Sequence, residues 1–472
     1  MKKIVFLVML AFLICGSHFL IDKKENSTNS KNFNIYIKEG NTYVKQNTST
    51  FPTSGYTINL TESSCTNGGV ISVNASDSKK IDIAVGAADK CNLYFDPNET
   101  LDSVISSLVS GEPTNSTDVI TKTAPSGASC TNTLAYDGTT DNNIRYVGAD
   151  PCNYVTFNGE SPTTTSRWVI ANSETGAQEP DIYESESACQ SAYNEFANQG
   201  MPTDQYECVQ RTITTGGGWR IIGIMNNVDD GTGNLETRVK LIRNESLGSY
   251  SWDTDENFGS SNWTQADLQN ELNGDYLNTT LTTNPYWYNG QNNQQTAVYN
   301  RFYGLKTNAQ NLIDPAVWHL GELQHEYEHY DNPTTLEFYQ AERGSSLFDE
   351  GTSSYKDCST NTCSRPTTWT GKVALPYPSD YLYAIGGSDR TSCLAAGPHD
   401  YSSHGCWDYD WLNKPDIDYW PLTAHRYITN GYINVNQSSP SEAFAVFPTL
   451  YLKSSAGVAS GDGSGANPYV IE

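Results

Sequence analysis

Apolar residues alternate with polar ones through most of the first hundred positions, and glycine, asparagine and serine interrupt the alternation. A period of two is typical of strands that bury one face. After these strands, apolar residues recur at helical spacing from Leu101 to Leu108 and predict one short amphipathic helix. Residues 34–126 are therefore predicted to be a spacer module, a small antiparallel β-sandwich with one helix. Its predicted strands lie at residues 34–37, 42–45, 56–60, 70–73, 80–85 and 92–95.

A stretch rich in Pro, Ser, Gly and Ala ends near Cys130 and predicts a domain boundary, with a second domain over residues 127–472. All ten tryptophans lie at position 168 or later, so the larger core belongs to this domain. The fold class predicted for the whole chain is α+β and β-rich. The elements predicted in the second domain are a β-ribbon of residues 220–225 and 237–243, a helix at 264–272 opened by a capping box, a hairpin around Asn430-Gly431, and an insertion at about 171–215 with a helix from Ser185 to about Ala197.

The N-terminus has the pattern of an export signal, because Lys2 and Lys3 precede an apolar run that ends near Cys15. Residues 1–21 are predicted to be a signal peptide, and an uncleaved N-terminal membrane anchor is the alternative. Residues 22–33 form a polar linker. We expect an extracellular or cell-surface protein that meets the membrane only through its N-terminal segment.

The net charge of the chain disfavours some classes of binding partner. The 472 residues include 28 Lys and Arg against 54 Asp and Glu, a net charge of −26. Such a chain repels phosphate backbones and anionic lipid, so we expect no nucleic-acid partner. An extracellular glycan or protein is the expected partner.

Cysteine usage also indicates export. Apart from Cys15, ten cysteines remain, and an even number in an exported chain favours disulfides over metal or redox chemistry. Pairing between sequence neighbours is the simplest arrangement, since each pair then closes a local loop. The predicted bridges are Cys65–Cys91, Cys130–Cys152, Cys189–Cys208, Cys358–Cys363 and Cys393–Cys406.

Five segments of the second domain carry a resemblance to known proteins: Trp219-Arg-Ile-Ile-Gly, residues 271–277, residues 365–384, Trp420-Pro-Leu-Thr and residues 444–453. In this order they are similar to an uncharacterised family of bacterial exported or cell-surface proteins. The C-terminal domain of that family is C-type-lectin-like, a fold shared with formylglycine-generating enzymes. The resemblance implies that fold here and leaves the activity open, because the fold carries binders and enzymes alike.

An aromatic and acidic loop near the C-terminus is the predicted ligand-binding surface. Aromatic faces stack on sugar rings or peptide side chains, and carboxylates accept hydrogen bonds from hydroxyl groups. The alternative is a folded loop that buries its own tryptophans beneath the Cys393–Cys406 bridge. The predicted ligand-binding residues are Tyr401, Trp407, Asp408, Tyr409, Asp410, Trp411 and Trp420.

Two further motifs suggest metals. His325, Glu326 and His329 match the pattern HExxH, in which two histidines on one helical face hold zinc and the glutamate acts as a general base. A helix from Leu320 to His329 would provide that face, and a solvated histidine pair is the alternative. The second motif is an Asn-, Asp- and Gly-rich loop, which predicts a Ca²⁺ site. The same composition is equally typical of a hairpin turn, which is the alternative. The predicted Ca²⁺ ligands are Asn226, Asp229, Asp230 and Asn234.

These patterns favour a binding protein over an enzyme. The predicted function is an exported or surface-tethered protein that recognises a glycan or a protein through its aromatic and acidic loops. The alternatives are a zinc-dependent hydrolase built on His325, Glu326 and His329 and a structural component of a surface appendage.

Overall fold

The architecture was obtained as a computed structural model. More of its residues lie in strands than in helices, and the β-rich α+β class predicted from the sequence is confirmed. The structure describes residues 32–47, 52, 55–74, 77–84, 89–172, 178–198, 205–253, 262–278, 304–323, 333–349, 354–387, 389–396, 405–414, 417–423, 427–429, 432–434 and 439–472. The predicted signal or anchor, residues 1–21, lies outside the described residues, as does nearly all of the linker.

Two compact units divide the chain at Glu99/Thr100, with Glu472 counted in the first. The division falls before the helix Leu101–Leu108, which the sequence placed in the spacer module. Leu101 and Ile105 are buried in the core of the larger unit, and the Leu101 amide donates to the Ala456 carbonyl at 3.0 Å. The apolar face of this helix thus belongs to the larger unit.

The first unit is a five-stranded sheet with a separate two-stranded ribbon. Its strands are β1 Asn32–Glu39, β2 Thr42–Lys45, β3 Tyr56–Ile58, β4 Ser64–Cys65, β5 Val70–Asn74, β6 Asp77–Ala84 and β7 Lys90–Pro97. The sheet order is β2-β1-β7-β3, with β4 also paired to β7, and β5 and β6 form the ribbon. One pair departs from the expected antiparallel arrangement, because β1 runs parallel to β7. A parallel pair needs a long connection, which the residues between these strands supply.

The larger unit is organised around a ten-stranded sheet. The strands after the first unit are β8 Ile120–Lys122, β9 Asn132–Tyr136, β10 Ile144–Tyr146, β11 Tyr154–Thr156, β12 Pro162–Asn172, β13 Gln178–Tyr183, β14 Tyr206–Gly217, β15 Trp219–Asp229, β16 Leu235–Arg243, β17 Ser249–Ser251, β18 Ala316–His319, β19 Ser346–Asp349, β20 Ser354–Asp357, β21 Thr368–Gly371, β22 Val373–Ala374, β23 Tyr427–Thr429, β24 Tyr432–Asn434, β25 Ala443–Ala445, β26 Thr449–Tyr451, β27 Val458–Ser460 and β28 Tyr469–Ile471. Seven strands of the large sheet follow the order β22-β26-β16-β15-β10-β9-β8, and β11, β27 and β28 branch from it. The predicted ribbon is its β15–β16 pair, in which Ile224 faces Val239.

The insertion is a three-stranded sheet, β13-β12-β14, with the helix Glu186–Asn198. It extends further than predicted on both sides, since β12 and β14 pair along their length from Pro162–Gly217 to Asn172–Tyr206. The chain then turns directly into β15. A side chain at Gly217 would meet the Ser161 carbonyl oxygen at 2.8 Å, and its φ is +72°, so this turn requires glycine.

Short helices surround the large sheet. The helix predicted at 264–272 begins later, at Asp267, with Ala266 as its N-cap residue and no side-chain cap. The Thr264 hydroxyl donates instead to Asn262 Oδ1. The helix predicted from Leu320 is wrong over Leu320–Leu323, whose first three residues donate main-chain hydrogen bonds to the carbonyls of Thr367, Glu342 and Ser346. The helical segments are Leu101–Leu108, Glu186–Asn198, Asp267–Glu271, Leu272–Tyr276 (a π-helical turn), Thr307–Asn311, Thr335–Glu342, Pro378–Tyr383, Arg390–Ala395 and Cys406–Tyr409 (3₁₀).

All five predicted disulfides are present: Cys65–Cys91, Cys130–Cys152, Cys189–Cys208, Cys358–Cys363 and Cys393–Cys406. Five bridges fit an oxidising, extracellular environment. Within the described ranges, no helix has the length and apolar character that crossing a bilayer requires.

Candidate functional site

The predicted ligand-binding loop divides into a buried part and an exposed part. Asp410, Trp411 and Trp420 are core residues with at most 4% of their surface exposed, so their assignment to a ligand-binding surface is wrong. Both indoles satisfy their N–H groups inside the protein. Trp411 Nε1 donates to the Tyr146 carbonyl at 2.9 Å, and Trp420 Nε1 donates to the Tyr250 carbonyl at 2.8 Å.

A guanidinium group fixes Trp411 further. Arg220 lies over the rings of Trp411 and Tyr154, at 4.6 Å and 4.2 Å from their centroids. Its Nε donates to Asn153 Oδ1 at 2.6 Å and its Nη2 to Asp150 Oδ1 at 2.9 Å. A buried cation with these partners and two aromatic faces is well satisfied, so it holds the indole in one position.

The exposed part consists of Trp407, Asp408 and Tyr409, which we call the recognition tip. Trp407 is half-buried and Asp408 is exposed, while 48% of Tyr409 is exposed. Tyr401 lies outside the described residues. Of the predicted ligand-binding residues that the structure describes, only these three face solvent together on consecutive positions.

The recognition tip sits on a rigid base. Cys406 bridges to Cys393 in the helix Arg390–Ala395, and the Gly386 amide donates to the Tyr409 carbonyl at 2.8 Å. Gly387 lets the ring approach, because a side chain there would lie 3.1 Å from Tyr409 Cγ. The tip is therefore held in one conformation before any ligand arrives, which lowers the entropic cost of binding.

The predicted calcium loop is a hairpin turn that uses its own oxygens. Asp229 Oδ1 accepts from the amides of Gly231 and Gly233, at 2.8 and 3.1 Å. Asp230 Oδ1 accepts from the Thr232 amide and hydroxyl, both at 2.7 Å, and these hydrogen bonds lower the pKa of Asp230.

The two asparagines of the predicted calcium set are also engaged. Asn226 Oδ1 accepts from the Thr237 hydroxyl at 3.0 Å, and Asn234 Nδ2 donates to Glu236 Oε1 at 3.4 Å. The arrangement matches the turn chemistry that the sequence offered as the alternative.

The predicted zinc ligands His325, Glu326 and His329 lie outside the described residues. In the part of the chain that the structure describes, the one group of possible ligands close enough to share an ion is Cys65, Asp89 and Cys91. Both sulfurs there are disulfide-bonded, and Asp89 accepts from the amides of Asn67 and Gly69. That group has a structural role.

Sequence reasoning missed a buried ionic network beneath the sheet. Asp380 Oδ1 accepts from Arg145 Nη1 and its Oδ2 from Lys240 Nζ, both at 2.5 Å. Arg145 also contacts Asp137 at 3.4 Å. All four side chains are at most 2% exposed, so no solute reaches them. Their sequence positions are too far apart for a local pattern to have revealed them.

Burial dominates the electrostatics of this region. It lowers the pKa of Lys240 to about 8 despite Asp380, and Lys240 Nζ lies 4.1 Å from the centroid of the Tyr377 ring. Burial alone raises the pKa of Asp380, but Lys240 and Arg145 outweigh it and the net pKa is lowered. The Glu342 carboxylate accepts from the Ser379 amide at 2.8 Å, and burial raises its pKa to about 7.

A small pocket with room for about one water molecule is the second feature that the sequence did not predict. Trp252, Trp263 and Glu322 line it, and 2%, 2% and 4% of their surfaces are exposed. Each contributes a buried polar atom without a hydrogen-bond partner in the described structure. The nearest sequence signal is the position of Trp263 immediately before the predicted helix 264–272, which is typical of an apolar residue that packs onto the helix.

Comparisons with protein-family models, with curated proteins and with solved structures find no match to this chain. The resemblance to a C-type-lectin-like surface family therefore stays a prediction from the sequence.

Proposed function

We propose that this chain is an exported binding protein that recognises an uncharged glycan through the recognition tip. The observation that carries the proposal is the exposed ring of Tyr409 beside the exposed Asp408 carboxylate on a disulfide-anchored loop. An aromatic face covers the apolar side of a sugar, and a neighbouring carboxylate accepts from its hydroxyl groups.

Surface composition favours a glycan over a protein partner. A stable protein interface buries roughly 1,200–2,000 Å² around a cluster of large apolar anchors. On the larger unit, the exposed large apolar side chains among the described residues are Leu235, Leu336, Tyr409 and Ile417, of which only Tyr409 is aromatic. The net charge of −26 also disfavours anionic ligands.

Export is supported by the disulfides. Structural disulfides persist in oxidising compartments and are rare where thiols are kept reduced, and this chain pairs ten of its eleven cysteines. The apolar N-terminal run would supply the signal or anchor.

A glycan array probed with the purified full chain tests the proposal. Tyr409→Ala should weaken binding to a neutral glycan by roughly 1–3 kcal/mol, the usual range for truncating an aromatic anchor. Asp408→Asn should weaken it as well, while Leu235→Ser, which removes another exposed apolar side chain, should leave binding unchanged. Binding that survives both tip variants at full affinity would exclude the recognition tip.

A further inference from the structure

The Cys358–Cys363 bridge differs from the other four disulfides in its exposure to solvent. Both of its cysteines are half-buried, and the residues between them are exposed. Each of the other four bridges contains at least one cysteine with at most 4% of its surface exposed. A dissolved thiol therefore reaches Cys358–Cys363 more easily than any of the other four bridges.

Exposure of both cysteines also makes this bridge easier to open. An attacking thiolate bonds to one sulfur of a disulfide and expels the other sulfur as a thiolate. Attack on the half-buried Cys208 would expel the fully buried Cys189, and burial destabilises a charged thiolate. At Cys358–Cys363 neither cysteine is buried in the core, so the expelled thiolate is solvated whichever sulfur is attacked.

The folded state depends less on this bridge than on the others. It joins cysteines five positions apart, whereas the other four bridges span 13 to 26 positions. A disulfide that closes a short loop removes little conformational freedom from the unfolded chain and so contributes less stability. Opening of Cys358–Cys363 is therefore compatible with a folded protein.

Hydrogen bonds hold the turn at Cys358 independently of the sulfurs. Asp357 Oδ1 accepts from the Ser345 hydroxyl at 2.6 Å and from the Ser359 amide at 2.9 Å. The Asp357 carbonyl accepts from the Asn361 amide at 3.0 Å, and the Cys358 amide donates to the Ser345 carbonyl at 2.8 Å. These contacts remain when the bridge is open.

The chain is anchored on the Cys363 side as well. Arg365 Nη2 donates to Glu322 Oε2 at 2.8 Å and to the Phe348 carbonyl at 3.3 Å. Phe348 lies in β19, which pairs with the β20 strand that leads into Cys358. Because both ends of the loop are fixed, the two sulfurs stay at high effective concentration after the bridge opens.

We propose that Cys358–Cys363 is a thiol-exchange site, at which a small external thiol forms a reversible mixed disulfide with the protein. The external thiolate bonds to one cysteine sulfur, the bond between the two cysteines breaks, and the other cysteine leaves as a thiolate. Attack of that thiolate on the mixed disulfide releases the external thiol and restores the bridge. Neither step needs an oxidant, because one disulfide replaces another. The site is independent of the recognition tip, since it uses other residues.

The charge of the chain favours an uncharged or cationic thiol over an anionic one. The net charge is −26, and the hydrogen bonds from Ser345 and Ser359 lower the pKa of Asp357, so this neighbouring carboxyl stays ionised. Both repel an anion. The uncharged 2-mercaptoethanol should therefore open the bridge faster than mercaptoethanesulfonate, and added salt should reduce the difference. A faster reaction with the anionic thiol would overturn this choice of thiol class.

Differential alkylation of the purified full chain tests the proposal. The folded protein is treated with 2-mercaptoethanol, free thiols are blocked with one alkylating reagent, and the remaining cysteines are reduced after denaturation and labelled with a second reagent. Mass spectrometry should show that Cys358 and Cys363 open at least about tenfold faster than any other bridged cysteine, while tryptophan fluorescence stays that of the folded chain. Earlier opening of another bridge, or opening of Cys358–Cys363 only together with unfolding, would overturn the proposal.

A single substitution should trap the mixed disulfide. In Cys363→Ser, Cys358 has no neighbouring thiolate to displace a bound thiol, so the oxidised dimer of 2-mercaptoethanol should leave one mercaptoethanol attached to it. Cys208→Ser is the matched control, because the Cys189 thiol that it releases is fully buried and should stay unmodified. Equal modification of the two variants would contradict the role of exposure. If either variant fails to fold, the labelling of the wild type decides the matter.

Discussion

The indole Nε1 of Trp411 donates a hydrogen bond to the main-chain oxygen of Tyr146 at 2.9 Å, and this contact ties the C-terminal aromatic loop to strand β10. The main chain repeats the connection, because the Trp411 amide donates to the Gly148 carbonyl at 2.9 Å. One segment of five residues therefore contains both an exposed tip and part of the core.

Truncating Trp411 should reduce the stability of the protein, whereas truncating Tyr409 should reduce ligand binding. Trp411→Ala should destabilise the protein by about 3–5 kcal/mol, since it removes a buried ring, takes away one of the two aromatic faces against Arg220 and leaves the Tyr146 carbonyl without the indole N–H. Tyr409→Ala should change stability by less than about 1 kcal/mol and affect glycan binding instead. Denaturant unfolding of both variants measures the difference. Equal losses of stability would show that Tyr409 also supports the core.

Calcium should have little influence on the stability of the 226–234 loop. The Asp229 and Asp230 carboxylates already accept hydrogen bonds from the turn, so the fold does not depend on an ion to satisfy them. We expect the melting temperature to be the same in calcium and in a chelator, and Asp229→Ala to cause the same small decrease in both. A decrease on chelation that disappears in Asp229→Ala would restore the calcium site.

The buried carboxyl of Glu342 should make stability depend on pH. Its pKa is about 7 in the folded chain against an ordinary 4.5, so between these values the folded state holds a proton that the unfolded state has released. Its stabilising contribution is complete below pH 4.5 and is lost as the pH rises through 7. Glu342→Gln mimics the protonated form and should gain up to roughly 3 kcal/mol over the wild type at pH 8 while equalling it near pH 4.5.

Thermal unfolding of Glu342→Gln and wild type across this pH range measures that difference. His319 makes stability depend on pH with the opposite sign. Burial lowers its pKa to about 4, so its stabilising contribution is present above pH 6.5 and is lost as the pH falls from 6.5 towards 4. The pairwise comparison at each pH removes this effect. Glu442→Gln, at an exposed position, is the control and should show no such trend. A difference that does not grow between pH 5 and 8 would contradict the prediction.

Local sequence patterns predicted the positions of the strands better than the pairing between them. The alternation at residues 34–37 and 92–95 predicted two strands, and both exist as parts of β1 and β7. Their parallel pairing could not be predicted, because alternation reports only which face is buried. The cysteine pairs were predictable because each bridge closes a short loop.

The candidate sites depended on information that the sequence does not contain. A tryptophan serves equally well as an exposed anchor or as a buried ring with a satisfied N–H, so composition could not separate Trp407 from Trp411. The pocket joins Trp252, Trp263 and Glu322 across distant parts of the chain, and its unpartnered atoms appear only once the neighbours are known.

The Lys240–Asp380 contact should be among the most sensitive points of the larger unit. Asp380 neutralises two buried cations and also accepts from the Tyr377 amide at 2.9 Å. Asp380→Asn keeps the shape but leaves Lys240 and Arg145 under-compensated in the interior, which should cost about 3–5 kcal/mol. Lys453→Met is the comparison, since it removes a half-buried, solvent-accessible ion pair with Asp314 and should cost at most about 1 kcal/mol.

Adding Lys240→Met to the Asp380→Asn variant should restore part of the lost stability. The second substitution removes the buried charge that Asp380 no longer neutralises at Lys240, and the methionine side chain fills the space between the rings of Tyr377, Trp318 and Tyr451. Arg145 keeps its contact with Asp137 in both variants. Denaturant unfolding of the two single variants and the double variant yields the coupling energy. Strictly additive losses would mean that Lys240 and Asp380 stabilise the fold through separate contacts, and the ionic pairing would then not explain the sensitivity of Asp380.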